Sequence, residues 1–324
     1  MTMTEMPSLQ KLLNEPFALI LGAGASMGYG FPSWYKLKQE MISRLADESD
    51  QVANIFGPKM AQEFLHKIRT MKSDETIDTV AERLDGDGFT LFQMLTSSII
   101  LKCEEKSKAV EHGWIEVFID KIANLFEHEM KSERDPLIIF TNLNVITLNY
   151  DRLFEYKFSS KIEAAITKRL PRERQFKQLG YDSTLAKIGN VIHPHGAIGS
   201  FNEGFHRISC STYLNKESGL GMNYGDHESL MNGFTNWKRV PYICPVDDIT
   251  QAKDNRSYDE ANSILKNVST AFCIGLSEIG ITSSNLELDS IKTIYSSDKA
   301  KVSDNFVPLA KRALPLFEEL KVKP

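Results

Sequence analysis

The sequence predicts an α/β fold: a parallel sheet with helices on both faces and a helical subdomain inserted into it. Three observations carry that prediction. An apolar run, Phe17-Ala-Leu-Ile-Leu21, breaks into Gly22-Ala-Gly-Ala-Ser26, with Gly28 and Gly30 close behind. Short β-branched runs recur downstream and end in glycine or polar residues. Between them, the stretch from about residue 50 to residue 131 reads almost wholly as helix. Parallel strands covered on both faces read as short continuous apolar runs, and ligands of such sheets lie beyond the strands' carboxyl ends.

Taken in order, Phe17 to Leu21 is a strand entering a glycine turn of the kind that cradles phosphate. Glycines let a backbone approach a ligand closely, and the N–H groups opening the next helix face an anion. Helical spacing at Trp34, Leu37, Met41 and Leu45 predicts the helix that follows. Apolar residues three or four apart then mark helices around Phe64, Leu65 and Ile68, around Phe89, Phe92, Leu95 and Ile99, and from Trp114 through Phe118, Ile122, Leu125 and Phe126. Strands resume at Asn144 to Leu148, Asn190 to His193, Val240 to Cys244, Thr270 to Ile274 and Lys292 to Tyr295. The Gly-, Asn-, Ser- and Tyr-rich stretch from about Ser200 to Lys238 predicts a long loop near the site, and Phe306 to Leu320 a closing helix. The organisation expected is one α/β domain over 1–45 and 136–324, with a helical insertion over 46–135.

The glycine turn does not fit an ordinary dinucleotide fingerprint. Met27 stands where the third glycine belongs, and the acidic residue about 20 positions on falls at Asp47 or Glu48, in a helical stretch. No Gly-Lys-Ser/Thr follows, so a P-loop fits worse. A tight turn that binds nothing is the bland alternative.

A 324-residue chain with formal charge −5 has room for a large core and little excess of the basic residues that hold nucleic acid by its phosphates. The densest basic stretch, Lys168 to Lys177, is broken by Pro171 and Glu173 and reads as a solvated face. No secretory pattern or membrane-length apolar run is present, so a cytoplasmic protein is expected. The cysteines Cys103, Cys210, Cys244 and Cys273 form no Cys-x-x-Cys pair, which indicates neither a zinc ribbon nor a disulfide framework.

Four motifs in order, Gly22-Ala-Gly-Ala-Ser26 with Gly30-Phe-Pro32-Ser-Trp34, Thr147-Leu-Asn149-Tyr-Asp151, His195-Gly196 and Gly275-Leu-Ser277, resemble the nucleotide-site motifs of the sirtuin family. More narrowly, the chain resembles the sirtuin-like NAD-hydrolysing domains of bacterial antiphage defence systems. That resemblance implies a Rossmann-like, sirtuin-type sheet with NAD as substrate. It implies that Gly22, Ala23, Gly24 and Ser26 lie by the pyrophosphate, that Pro32 belongs to the cofactor site and that Trp34 lines the nicotinamide pocket. It implies likewise that Asn149 and Asp151 face the nicotinamide and its ribose, that His195 is the catalytic histidine, and that Gly275 and Ser277 border the adenosine. Sirtuin deacylases carry paired cysteines beside an acyl-peptide cleft. This chain lacks them, and it has Leu148 where they have Gln and Ser33-Trp34-Tyr35 where they have Asp-Phe-Arg.

Cleavage of the nicotinamide–ribose bond passes through an oxocarbenium-like sugar with a good leaving group, so the site must orient the ring, shield the cation and admit an acceptor. Asn149 can grip a carboxamide or a water, ionised Asp151 accepts hydrogen bonds, and His195 can take a proton near neutral pH. Each has a plainer alternative. Asn149 and Asp151 suit the start of a helix near Tyr150. His193 and His195 share a strand face and invite a metal, but no third ligand accompanies them, so no metal is expected. Ser277 is no hydrolase nucleophile, because Ile279 stands where the elbow needs Gly. Trp34 serves a pocket or a core equally well.

The function the resemblance implies is NAD+ glycohydrolysis by a defence effector that kills its host. Its activation would come from homo-oligomerisation or from a partner such as an Argonaute-like protein or an ATPase, without direct nucleic-acid or membrane binding. Sirtuin-type ADP-ribosyl transfer or deacylation is the alternative within enzymes. A non-enzymatic NAD- or ADP-ribose-binding regulatory module is the alternative outside them.

Overall fold

A computed structural model describes residues 6–72, 75, 77–81, 83–84, 86–132, 135–169, 190–198, 207–209, 224–241, 243, 256–277, 285–297 and 303–323. Its strands are β1 (Phe17–Leu21), β2 (Leu143–Thr147), β3 (Asn190–Ile192), β4 (Arg207–Ser209), β5 (Thr270–Ile274), β6 (Thr293–Ser296) and β7 (Phe306–Pro308). They form one sheet in the order β4-β3-β2-β1-β5-β6-β7. All neighbours are parallel except β4, which runs antiparallel to β3 at the edge. Without β4, the six parallel strands follow the doubly wound Rossmann order, in which the chain winds outward both ways from its first strand.

Side chains of a strand alternate between faces, and here both faces are covered. Phe17, Leu19 and Leu21 of β1, with Val145, Phe272 and Ile274, enter one large apolar cluster. Ala18 and Ile20, with Ile146, Ala271 and Cys273, enter a second cluster that also holds Tyr258, Ala261 and Leu265. Burying each large side chain of this kind contributes about 1.5–3 kcal/mol. The expected fold class is therefore the observed one.

The helices are α1 (Leu9–Leu13), α2 (Ala23–Ser26), α3 (Trp34–Leu45), α4 (Gln51–Phe56), α5 (Pro58–Arg69), α6 (Ile77–Ala81), α7 (Gly86–Ser107), α8 (Trp114–Lys131), α9 (Ile138–Asn142), α10 (Leu153–Thr167), α11 (His227–Trp237), α12 (Arg256–Leu265) and α13 (Ala313–Glu319). Between β1 and β2 the chain is helical, as its periodicity predicts. α7 and α8 supply Leu91, Phe92, Leu95, Trp114, Phe118 and Phe126 to the same cluster that covers the sheet.

Four expectations need correction. Phe306 to Leu320 is not one helix: β7 pairs with β6 before α13 begins. Pro308 is tolerated because β7 is an edge strand, and Pro315 because it lies in the first turn of α13, where no helix bond is lost. The stretch from Ser200 to Lys238 is not all loop: β4 and α11 lie in it. Asp226 caps α11 by accepting from Ser229 N at 2.9 Å, although Asn232, Gly233 and Asn236 hide the helical period of Leu230 and Phe234. At Val240 to Cys244 the described residues show only an antiparallel bridge between Ile243 and Gly196. Finally, α3 is not the helix that meets the glycine turn, because α2 and a 3-10 turn, Met27–Tyr29, precede it and Ser33 caps α3 separately. Arg172, Arg174, Lys177, Cys210 and Cys244 lie outside the described residues.

Candidate nucleotide site at the strand tips

Parallel strands place their carboxyl ends on one edge, so the turns after β1, β2, β3 and β5 are neighbours there. The winding reverses between β1 and β5, and such a switch point is where ligands of these sheets lie. The two tips interlock through backbone. Gly22 N donates to Ile274 O and Gly24 N to Gly275 O, each at 2.9 Å. Gly275 has φ +69°, and a Cβ there would stand 2.1 Å from Ala25 N. A Cβ on Gly24 would meet the Gly275 Cα at 2.7 Å. These glycines are thus required by strand-tip packing before any ligand is considered. The N–H groups of Gly24 and Ala25, which the sequence aimed at an anion, are engaged by the carbonyls of Gly275 and Gly22.

Across from this turn stands the tip of β2. Asn149 Nδ2 donates to Gly22 O at 3.0 Å and to Ser26 Oγ at 3.2 Å, and Ser26 Oγ donates to Asp151 Oδ1 at 3.1 Å. Three expected site residues, Ser26, Asn149 and Asp151, therefore form one buried network. Asp151 also accepts from Leu153 N at 3.1 Å, which ties it to the first turn of α10. The helix starts at Leu153 with Arg152 as its N-cap and no side-chain cap, not near Tyr150, so Asp151 precedes the cap and its bond to Leu153 N is a turn contact rather than the capping role the sequence allowed.

Burial pushes the Asp151 carboxyl from 3.8 up to about 7; the Leu153 and Ser26 hydrogen bonds pull it down, and the Glu155 and Glu104 charges push it further up. The assumption of a simply ionised acceptor is corrected accordingly. Near neutral pH this group holds a proton in a substantial fraction of molecules.

The loop after β3 closes the other side. His193 Nδ1 lies 3.1 Å from the Asn149 carbonyl, and its Nε2 is hydrogen-bonded to Glu155 Oε1. Burial works against a charged His193, but the Glu155 charge and hydrogen bond, the Asn149 carbonyl and Asp151 outweigh it and raise its pKa. Ile198 N donates to Tyr150 O at 3.0 Å, stitching the β2 and β3 loops together. His195 is also buried, with Nε2 2.9 Å from the Tyr258 hydroxyl of α12.

Other buried contacts brace these loops. Glu104 of α7 accepts from Arg152 N, Nε and Nη2 at 3.2, 3.0 and 2.6 Å, and from Gly225 N at 2.8 Å. Trp114 Nε1 of α8 donates to Ala25 O at 2.7 Å, so the helices between β1 and β2 support the glycine turn directly. A cavity of about 10 Å³, the space of one water molecule, is lined by Ser26, Thr147, Asn149, Asp151 and Glu155 among others. Larger hollows, one of about 500 Å³ by Asp120 and Arg169, lie on helix surfaces away from the strand tips and gather no comparable polar network.

Of the remaining expected residues, Ala23, Gly24 and Ser277 are exposed and Gly275 half-buried at the same edge, while Pro32 is half-buried. Trp34 opens α3 with 48 % of its surface exposed, packed edge-on against Tyr35, which removes its reading as a core aromatic. Sequence reasoning missed Glu155, Tyr258 and Glu104. Glu155 follows Asp151 by four residues, a spacing that would have hinted at a shared face, but an acidic residue in a first helical turn ordinarily reads as solvated. Among the described residues, no group of three or more His, Cys, Asp or Glu could hold a metal, and no helix is long and apolar enough to cross a membrane.

No protein-family model matches the chain, and no curated protein matches it. Solved structures similar to it include Sir2 proteins. A Ser-to-Ala mutant of a Sir2 homologue in complex with ADP-ribose matches at 11% identity and TM-score 0.43, over 96% of this chain and 93% of that one. Sir2Tm bound to a propionylated peptide matches at 14% and 0.39, over 98% and 96%. A Sir2 His-to-Tyr mutant with a p53 peptide and NAD matches at 14% and 0.41, over 99% and 97%. At TM-scores below 0.5 this likeness assigns no residue and no activity to the chain.

Proposed function

We propose that the strand tips bind NAD+ and cleave its nicotinamide–ribose bond with water, giving nicotinamide and ADP-ribose. The observation that supports this best is the Ser26–Asn149–Asp151 network between the β1 and β2 tips, next to the switch point, with the His193–His195 loop bonded to its far side. Gly22, Ala23, Gly24 and Ser26 would lie against the pyrophosphate, Pro32 and Trp34 at the nicotinamide end, and Gly275 and Ser277 at the adenosine end. Asn149 orients the carboxamide or the attacking water. Asp151, placed by Ser26 and Leu153, faces the developing cation and shields it from solvent, its ionised fraction supplying the opposing charge.

The C–N bond breaks with its electron pair leaving on the nicotinamide nitrogen, which neutralises the pyridinium. A water oxygen bonds to the ribose carbon, and the proton it releases goes to His195 and then to solvent. We infer that the enzyme is an effector of bacterial antiphage defence, organised as a 1–45 and 136–324 catalytic unit with a 46–135 insertion. Its activation comes from self-assembly or a partner protein, since unregulated NAD+ loss kills the host. Incubating the protein with NAD+ and resolving nicotinamide and ADP-ribose by HPLC tests this, with Asn149→Ala and His195→Ala as inactive controls.

One observation favours a second reading, a module that binds NAD or ADP-ribose without turning it over. The Asn149 amide is engaged by Gly22 O and Ser26 Oγ, and His195 is 3 % exposed. Tight ADP-ribose binding with no nicotinamide release under any condition is its signature.

A further inference from the structure

Of the two histidines on the β3 loop, the proposed reaction uses His195, yet His193 is built in more tightly. It is fully buried between Glu155 and the Asn149 main chain. A carbonyl oxygen only accepts, so Nδ1 must carry a hydrogen toward Asn149. The Nε2–Oε1 contact then has one proton between imidazole and carboxyl, and the fixed Nδ1–H dictates the tautomer whichever side holds it. Glu155 is anchored in the first turn of α10. Its Oε2 is buried with no hydrogen-bond partner among the described residues, and Glu155 is one of the residues, with Ser26, Asn149 and Asp151, that line the small cavity. Buried ion pairs are often no more stabilising than apolar residues of the same volume, so packing alone gives little reason for this one.

We propose that Glu155 and His193 are positioning residues for the cleavage reaction: Glu155 fixes the imidazole, and His193 Nδ1–H holds the Asn149 main chain so that its side-chain amide stays trained on Ser26 and the sugar end of the site. This rests on the NAD+-cleavage reading. Neither residue needs to touch substrate. Asp151, the other charged group lining that cavity, keeps its bonds to Ser26 and Leu153, and Glu104 and Arg152, whose charges also act on this region, pair with each other.

The test compares truncating and conservative variants in the full chain. His193→Ala and Glu155→Ala lower kcat for nicotinamide release by about 100-fold, the scale of a misplaced reacting group, while KM for NAD+ stays within about twofold. His193→Asn, which keeps a donor near the Nδ1 position, and Glu155→Gln, which keeps a hydrogen bond to Nε2, recover most of that loss. Equal losses in truncated and conservative variants, or losses that follow the unfolded fraction in a thermal melt, overturn the proposal. If the wild-type protein releases no nicotinamide at all, the cleavage reading fails separately. The pair is then read from the Asn149 side-chain amide resonances in ¹⁵N NMR, which move in His193→Ala and return in His193→Asn. Resonances that stay fixed overturn the positioning role as well.

Discussion

Asp151 gives the fold a pH dependence that one substitution removes. Its carboxyl binds a proton more tightly folded, near 7, than at its ordinary 3.8, so the folded state is favoured at low pH and loses stability as pH rises through about 7. At 1.36 kcal/mol per unit the full difference is about 4 kcal/mol, of which roughly 3 kcal/mol falls between pH 5 and pH 8. The group is 7 % exposed, so solvent screening takes little from this figure. Asp151→Asn keeps the oxygen that accepts from Ser26 and Leu153 and removes the titration. With an unfolding entropy near 2.1 cal/mol/K per residue, 3 kcal/mol corresponds to about 4 °C. Melting curves at pH 5 and pH 8 should therefore show the wild type losing about 4 °C more than Asp151→Asn across that interval. Asp151 also helps to raise the His193 pKa, so the same pair of curves in a His193→Asn background isolates Asp151. Parallel curves for the two proteins would refute the burial argument.

Further predictions follow from the packing. Gly275→Ala places a Cβ 2.1 Å from Ala25 N at φ +69°, and with the lost Gly24–Gly275 hydrogen bond should destabilise by roughly 3 kcal/mol, seen as a lower Tm and weaker ADP-ribose binding in calorimetry. Glu104→Ala leaves the Arg152 guanidinium buried without its carboxylate, which should cost about 3–5 kcal/mol by chemical denaturation. Tyr258→Phe removes the hydroxyl 2.9 Å from His195 Nε2. It should lower kcat for nicotinamide release with little change in Tm, and an unchanged kcat would separate Tyr258 from the catalytic histidine.

The sheet was legible because its strands are buried on both faces and announce themselves as apolar runs. β1 and β5 fall on the residues expected, and β2, β3 and β6 within a residue. β4, Arg207-Ile-Ser209, has one apolar residue between polar ones, and β7, Phe306-Val-Pro308, ends in a proline that reads as a break, so neither shows the apolar run that marks β3. At the site, Ser26, Asn149 and Asp151 were readable from strand-end motifs and do converge. The glycines were readable as a turn, but their need for close backbone approach comes from β5, some 250 residues away, which no local pattern reveals. Glu155 and Tyr258 stayed hidden for a similar reason: each looks like an ordinary helix residue until the β3 loop is laid against it.

The central claim is that Asn149 and His195 serve one pocket that breaks the nicotinamide–ribose bond. Following nicotinamide release from NAD+ by HPLC, with and without the proteins encoded beside this chain, tests it most directly. The account predicts release by the wild type once activated, lost in Asn149→Ala and in His195→Ala while both variants remain folded at the assay temperature. Release that survives both substitutions would contradict it.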